Sequence, residues 1–172
     1  TKTQAYKLTS ASTSSWKSTA RVGASIKLAG YLKPTQASIK VELQQRSGLK
    51  WRTIDTTMTN TSGKWQFAYV SDTAGKKTLR VKATNSRNSV NSKTKTITFS
   101  SYVSIYGSTR ANRNSTLSLN GTTIPSKPGL TVIIERKVGT SSWSRIGTAK
   151  TDDYGSWSFN SKTSTKRLTN QF

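Results

Sequence analysis

Six side chains in this sequence are acidic, Glu42, Asp55, Asp72, Glu135, Asp152 and Asp153, and there is no histidine or cysteine. Without thiols, disulfides, cysteine catalysis and thiolate-held zinc or iron–sulfur sites are excluded; without imidazole, so is the histidine-based triad. What remains is carboxylate chemistry, which needs two carboxyl groups facing each other across a cleft several ångströms wide. Asp152 and Asp153 are the one adjacent pair. They fall in a turn signal, where Asp favours the backbone geometry by itself, so turn chemistry is the better reading and a weak Ca²⁺ site the alternative. No glycine-rich phosphate loop or nucleophile elbow is present. The sequence therefore predicts a protein that is not an enzyme, with no catalytic, cofactor-binding or metal-binding residues.

Cations dominate instead. Lys and Arg number 28 against 6 acids, a formal net charge of +22. Up to Thr98 there are 18 basic and 3 acidic residues, giving +15; the remainder holds 10 and 3, giving +7. Self-repulsion at this charge opposes folding, and a polyanion (nucleic acid, teichoic acid, a sulfated glycan or an anionic membrane surface) would relieve it. Two groups stand out as candidate polyanion-binding residues. One is Lys76, Lys77, Arg80 and Lys82, with Arg87 in the next loop; the other is Lys40, Arg46, Lys50 and Arg52. If Leu79 and Val81 face a core, Arg80 and Lys82 share the outward face. The competing reading is a set of scattered solvated lysines.

The elements that would position these groups are strands. Ile39, Val41 and Leu43 alternate with Lys40, Glu42 and Gln44, the period of a half-buried strand. Similar runs cover Ser25–Leu32, Trp51–Thr59, Trp65–Tyr69, Thr78–Ala83 and Thr94–Phe99, with a polar loop expected over Asn85–Ser92 and one short strand near Ala5–Leu8. Turn signals separate them, and no segment has helical periodicity of useful length. No apolar run approaches 18 residues, so no membrane span is expected. Thr1 in place of an initiator methionine fits a processed or trimmed product.

The pattern then repeats. Leu28-Ala29-Gly30 and Pro34 recur as Leu119-Asn120-Gly121 and Pro125, Ile39–Leu43 as Leu130–Ile134, Trp51-x-x-Ile54 as Trp143-x-x-Ile146, and Gly63-Lys64-Trp65-Gln66-Phe67 as Gly155-Ser156-Trp157-Ser158-Phe159. The offset of 91 becomes 92 through one inserted residue between Arg46 and Trp51. Such a duplication implies two small domains, 1–98 and 99–172. Repetition favours a core role for Trp51, Ile54, Trp65, Trp143 and Trp157. Trp16, Tyr31 and Tyr106 lack an aromatic counterpart in the other copy and are candidate exposed contacts, for stacking on a sugar or base.

Taken together, the Leu-x-Gly, the following Pro, the Trp-x-x-Ile and the Gly-x-Trp-x-Phe unit resemble the bacterial Ig-like or fibronectin-III-like repeats of secreted and cell-surface proteins. The resemblance implies an all-β fold, two tandem Ig-like antiparallel β-sandwich domains, and a non-catalytic structural or adhesive module at the cell surface. Its partners would be an anionic cell-envelope polymer or neighbouring subunits. A nucleic-acid-binding or virion-associated module is the alternative, and a carbohydrate-binding accessory domain of a larger secreted enzyme is a third. An internal Lys–Asn isopeptide crosslink, known in some such domains, would need a buried lysine, and no lysine holds a clear core position.

The second copy is short. After Phe67 the first copy has 32 further residues to Phe99, whereas 13 follow Phe159. Lys166–Phe172 can supply one more strand, leaving the last one missing. Three readings follow: a fragment of a longer chain, a smaller sandwich with an open edge, or completion in trans by a neighbour's strand, for which residues 1–12 are the candidate.

Overall fold

A computed structural model describes residues 6–108, 112, 114–163 and 170–171, and these contain strands and turns but no helix. The chain forms two compact units, Thr1–Ser100 and Ser101–Phe172.

The first unit is built from β1 (Ser10–Ser15), β2 (Thr19–Arg21), β3 (Ile26–Lys33), β4 (Lys40–Ser47), β5 (Lys50–Met58), β6 (Lys64–Tyr69), β7 (Gly75–Thr84), β8 (Ser89–Asn91) and β9 (Lys95–Ser100). A small sheet runs β1-β3-β6 and a large one β2-β9-β7-β4-β5, with β8 added to β7. Every pairing is antiparallel except β2 with β9. The apolar alternation of each strand forms the core: Ile26, Leu28 and Leu32 of β3, Val41 and Leu43 of β4, Trp65 and Phe67 of β6, Leu79, Val81 and Ala83 of β7, Ile97 and Phe99 of β9. The two sheets meet face to face, as in a β-sandwich. Tyr69 of the small sheet packs edge-on against Phe99 of the large one and donates its hydroxyl to Gln45 Oε1 at 2.8 Å.

The second unit contains β10 (Tyr102–Val103), β11 (Tyr106–Gly107), β12 (Thr116–Ile124), β13 (Thr131–Val138), β14 (Ser144–Lys150), β15 (Ser156–Lys162) and β16 (Asn170–Gln171). β12 pairs with β10, β11 and β15, and β13 lies between β14 and β16. Leu117, Leu119, Val132, Ile134, Ala149 and Trp157 form its core.

The duplication extends to local geometry. Lys33-Pro34 and Ile124-Pro125 are both cis. A Cβ at Gly30 would run into the Ser12 carbonyl and the Trp65 ring, and one at Gly121 into the Ser104 carbonyl and the Trp157 ring, so both positions require glycine. Asn60 Oδ1 accepts the Ser62 and Lys64 N–H groups at 3.0 and 2.9 Å, and Asp152 Oδ1 accepts those of Tyr154 and Ser156 at 2.9 and 2.8 Å.

Several sequence expectations change. β5 carries a bulge opposite Leu43 and Gln44, with Ile54 as the extra residue, and β14 carries one opposite Ile134 and Glu135, with Ile146 as the extra residue. Ile54 is 43% exposed rather than core, whereas Ile146, the inserted residue of the second unit, is half-buried against that unit's core. Trp143 precedes β14 and is 50% exposed. Trp51 is half-buried; among the repeated tryptophans the core holds Trp65 and Trp157. The expected Asn85–Ser92 loop contains β8, and the amino-terminal strand lies at Ser10–Ser15 rather than near Ala5–Leu8. Of the expected donor 1–12, the described residues are already used: Leu8 is buried and Ser10–Ser12 pair with Tyr31–Lys33 within their own unit. Positions 1–5 lie outside the described residues. Of the expected strand Lys166–Phe172, Asn170 and Gln171 pair with Val138 and Lys137, and the others lie outside the described residues.

Candidate functional site

Cross-strand partners share a face of a sheet, so register assigns each basic residue to one side. Arg80 lies opposite Gln44, Lys82 opposite Glu42, and Arg46 opposite Trp51; Lys40 and Lys76 have the same parity. Lys40, Arg46, Lys76, Arg80 and Lys82 therefore line the outer face of the large sheet. Leu79 and Val81 between them are fully buried. Lys50 and Arg52 have the opposite parity, opposite Ser47 and Gln45. Lys77 lies opposite Ile97 and donates to Thr73 Oγ1 at 2.7 Å, while Arg87 lies in the β7–β8 turn. The structure thus gathers five of the nine predicted basic residues and separates four.

A polar network organises the centre of this face. The Arg80 guanidinium stacks 4.3 Å from the Trp51 ring and donates through Nε to Gln44 Oε1 at 2.9 Å. Gln44 Nε2 donates to Glu42 Oε2 and Thr53 Oγ1, both at 3.3 Å. Lys40 Nζ meets Glu42 Oε1 at 3.0 Å. The hydrogen bond from Lys40 holds the Glu42 carboxyl below the ordinary glutamate value, against the opposing effect of its burial. Glu42 is the one acid on this face among the described residues, and it is ion-paired. The network fixes Arg80 and pairs Lys40 with Glu42, while Arg46, Lys76 and Lys82 make no ion pair within it.

Gln44, Trp51 and Thr53 were not among the sequence candidates. Gln44 continues the outward series Lys40, Glu42, a signal present in the alternation. That Trp51 meets Arg80 depends on β5 and β7 flanking β4, which no local pattern reveals. Trp16 is half-buried with its indole N–H inside, so it is not a free stacking ring. Tyr31 and Tyr106 are exposed. Trp51 is capped by Arg80 and offers no bare ring at the basic face. The Asp152 carboxylate is committed to its turn.

The sequence matches no protein-family model and no curated protein. Its fold is similar to solved structures described as the D0-D1 domain of intimin (19% identity, TM-score 0.40, covering 92% of this chain and 86% of that one) and a tetra-tandem repeat in the extending region of a large adhesion protein (16%, 0.38, 81% and 37%). It is also similar to Salmonella alpha-2-macroglobulin mutant Y1175G (8%, 0.42, 87% and 14%). The chain thus spans most of the intimin fragment and well under half of the other two. At these scores and identities the likenesses assign neither family nor activity. The all-β tandem architecture stands on the strand pairing and cores described above.

Proposed function

We propose that this protein is a non-catalytic, extracellular structural or adhesive module whose first unit binds an anionic envelope polymer through the outer face of its large sheet. The observation that carries the reading is the placing of Lys40, Arg46, Lys76, Arg80 and Lys82 on one sheet face whose single acid is already paired. The extracellular setting rests on the motif resemblance. A flat basic face with its aromatic ring covered suits a polymer met by charge rather than by stacking, which favours a polyanion over a neutral glycan.

The test is binding of the purified chain to teichoic acid, heparin, duplex DNA and a neutral glycan across a salt series. Five phosphate contacts on duplex DNA would give a log–log salt slope of about −4.5, a weakening of roughly 500-fold between 50 and 200 mM salt. Lys76→Ala, Arg80→Ala and Lys82→Ala combined reduce that slope by about 2–3. Replacing Lys50, Arg52 and Arg87 removes as much charge from outside this face and leaves most of the slope. Equal loss from the two triple variants would reduce the effect to net charge and overturn the assignment of the face. Selective binding of teichoic acid or heparin over DNA supports the envelope reading; preference for DNA replaces it with the nucleic-acid alternative.

A further inference from the structure

The polar network on the basic face holds Arg80 without neutralising it. Glu42 is the acid of that face, yet among the described residues its ion-pair partner is Lys40, at 3.0 Å. Gln44 stands between Glu42 and Arg80. Its Oε1 takes the Arg80 Nε–H at 2.9 Å, and its Nε2 donates to Glu42 Oε2 at 3.3 Å. An amide therefore occupies the place a carboxylate would need to pair with the guanidinium.

The guanidinium is also fixed in direction. Gln44 lies directly opposite Arg80 and Thr53 directly opposite Gln44, so the three stand at one level of β7, β4 and β5. Gln44 is 7% exposed, and Thr53 Oγ1 accepts its other amide hydrogen at 3.3 Å, so the acceptor for Arg80 is itself anchored. The Trp51 ring lies 4.3 Å from the guanidinium carbon. Stacking uses one face of the group and the Nε bond one edge. The edge formed by the two terminal nitrogens remains, a rigid fork suited to a pair of oxygens on one anion. Lys76 and Lys82 can supply only point charges on flexible stems. Arg46 is exposed and bonded through Nε to the Gly48 carbonyl of its own turn at 3.1 Å.

Resting on the polyanion reading above, we propose that Arg80 is the specificity-determining residue of this face. It takes a phosphodiester group of the polymer end-on through its terminal nitrogens, with Trp51 and Gln44 as its positioning residues. The other cations supply charge without direction. A phosphodiester fits the fork because a pair of terminal oxygens carries its charge. A sulfate ester spreads the charge over one oxygen more. A carboxylate is compact and strongly hydrated, and pairs weakly with a cation open to water.

The test compares the full chain with Arg80→Lys, which keeps the charge and removes the fork. The probes are poly(glycerol phosphate), duplex DNA, heparin and polygalacturonate across a salt series. On poly(glycerol phosphate) the plots of log affinity against log salt should be parallel, because charge sets the slope. Arg80→Lys should lie about tenfold lower throughout, the loss of one bidentate charge-assisted contact. Its heparin and polygalacturonate lines should stay with those of the unaltered chain. Arg52→Lys, off this face, should leave every line in place. Trp51→Leu should lower the phosphodiester line as far as Arg80→Lys does, and the two combined should cost no more than either. The Arg80 comparison stands by itself if Trp51→Leu fails to fold. Coincident lines for Arg80→Lys on poly(glycerol phosphate) would overturn the assignment and leave the polyanion reading intact. An equal drop on all four polymers would overturn the phosphodiester preference. A drop on DNA alone would move the ligand to nucleic acid and overturn the envelope source. Absence of binding by the unaltered chain to every polymer would overturn the polyanion reading and this assignment with it.

Discussion

Glu42 is an outward-facing acid in a field of cations, and its titration is the clearest residue-scale consequence. Its folded pKa lies below the ordinary value of 4.5, chiefly through the Lys40 hydrogen bond. A depressed carboxylate contributes stability that is present above its unfolded pKa and lost as pH falls through the folded one. Urea unfolding at pH 7 and at pH 3 should therefore show a loss on acidification that is smaller in Glu42→Gln. An unchanged difference would mean the ion pair contributes nothing, as exposed pairs often do. The glycines are sterner. Gly30→Ala and Gly121→Ala each force a methyl group into a carbonyl and a tryptophan ring and should cost about 1–3 kcal/mol or more. Gly23, whose added Cβ meets nothing, suffers only from its positive φ and should cost about 1–2 kcal/mol on substitution by Ala.

At the scale of the element, the bulges separate residues that sequence spacing treats alike. Leu43 is a fully buried member of β4, and Ile54 is the inserted residue of β5. Leu43→Ala should cost about 2–5 kcal/mol, and Ile54→Ala less, because over two-fifths of the Ile54 side chain stays in water. Denaturant midpoints of the two variants decide it; equal losses would place Ile54 in the core. The tryptophans divide the same way. Acrylamide should quench Trp143 emission in single-tryptophan variants and leave that of Trp65 or Trp157 nearly untouched. Repetition at matched positions predicted burial for all four because it reports shared ancestry of a strand, while burial depends on which neighbour covers it. β7 and β8 cover the first copy of the motif, and the second copy has only β16 in that place among the described residues.

At the scale of the whole molecule, strand period, turn chemistry and duplication are local signals, and they determined the all-β class, the repeat, the required glycines and most of the core. The same alternation put Arg80 and Lys82 on one face, since Leu79 and Val81 beside them had to be buried. Strand order is not local. It alone brought Lys40 and Arg46 beside Lys76, Arg80 and Lys82, set Lys50 and Arg52 on the other side, and laid Arg80 over Trp51. A one-residue bulge changes parity beyond it, so no count along the sequence could fix which cations share a surface. Composition determined that this protein is strongly cationic; the pairing of β5, β4 and β7 decided where the charge is concentrated, because side chains from strands distant in sequence become neighbours only through the hydrogen-bonded ladder between them.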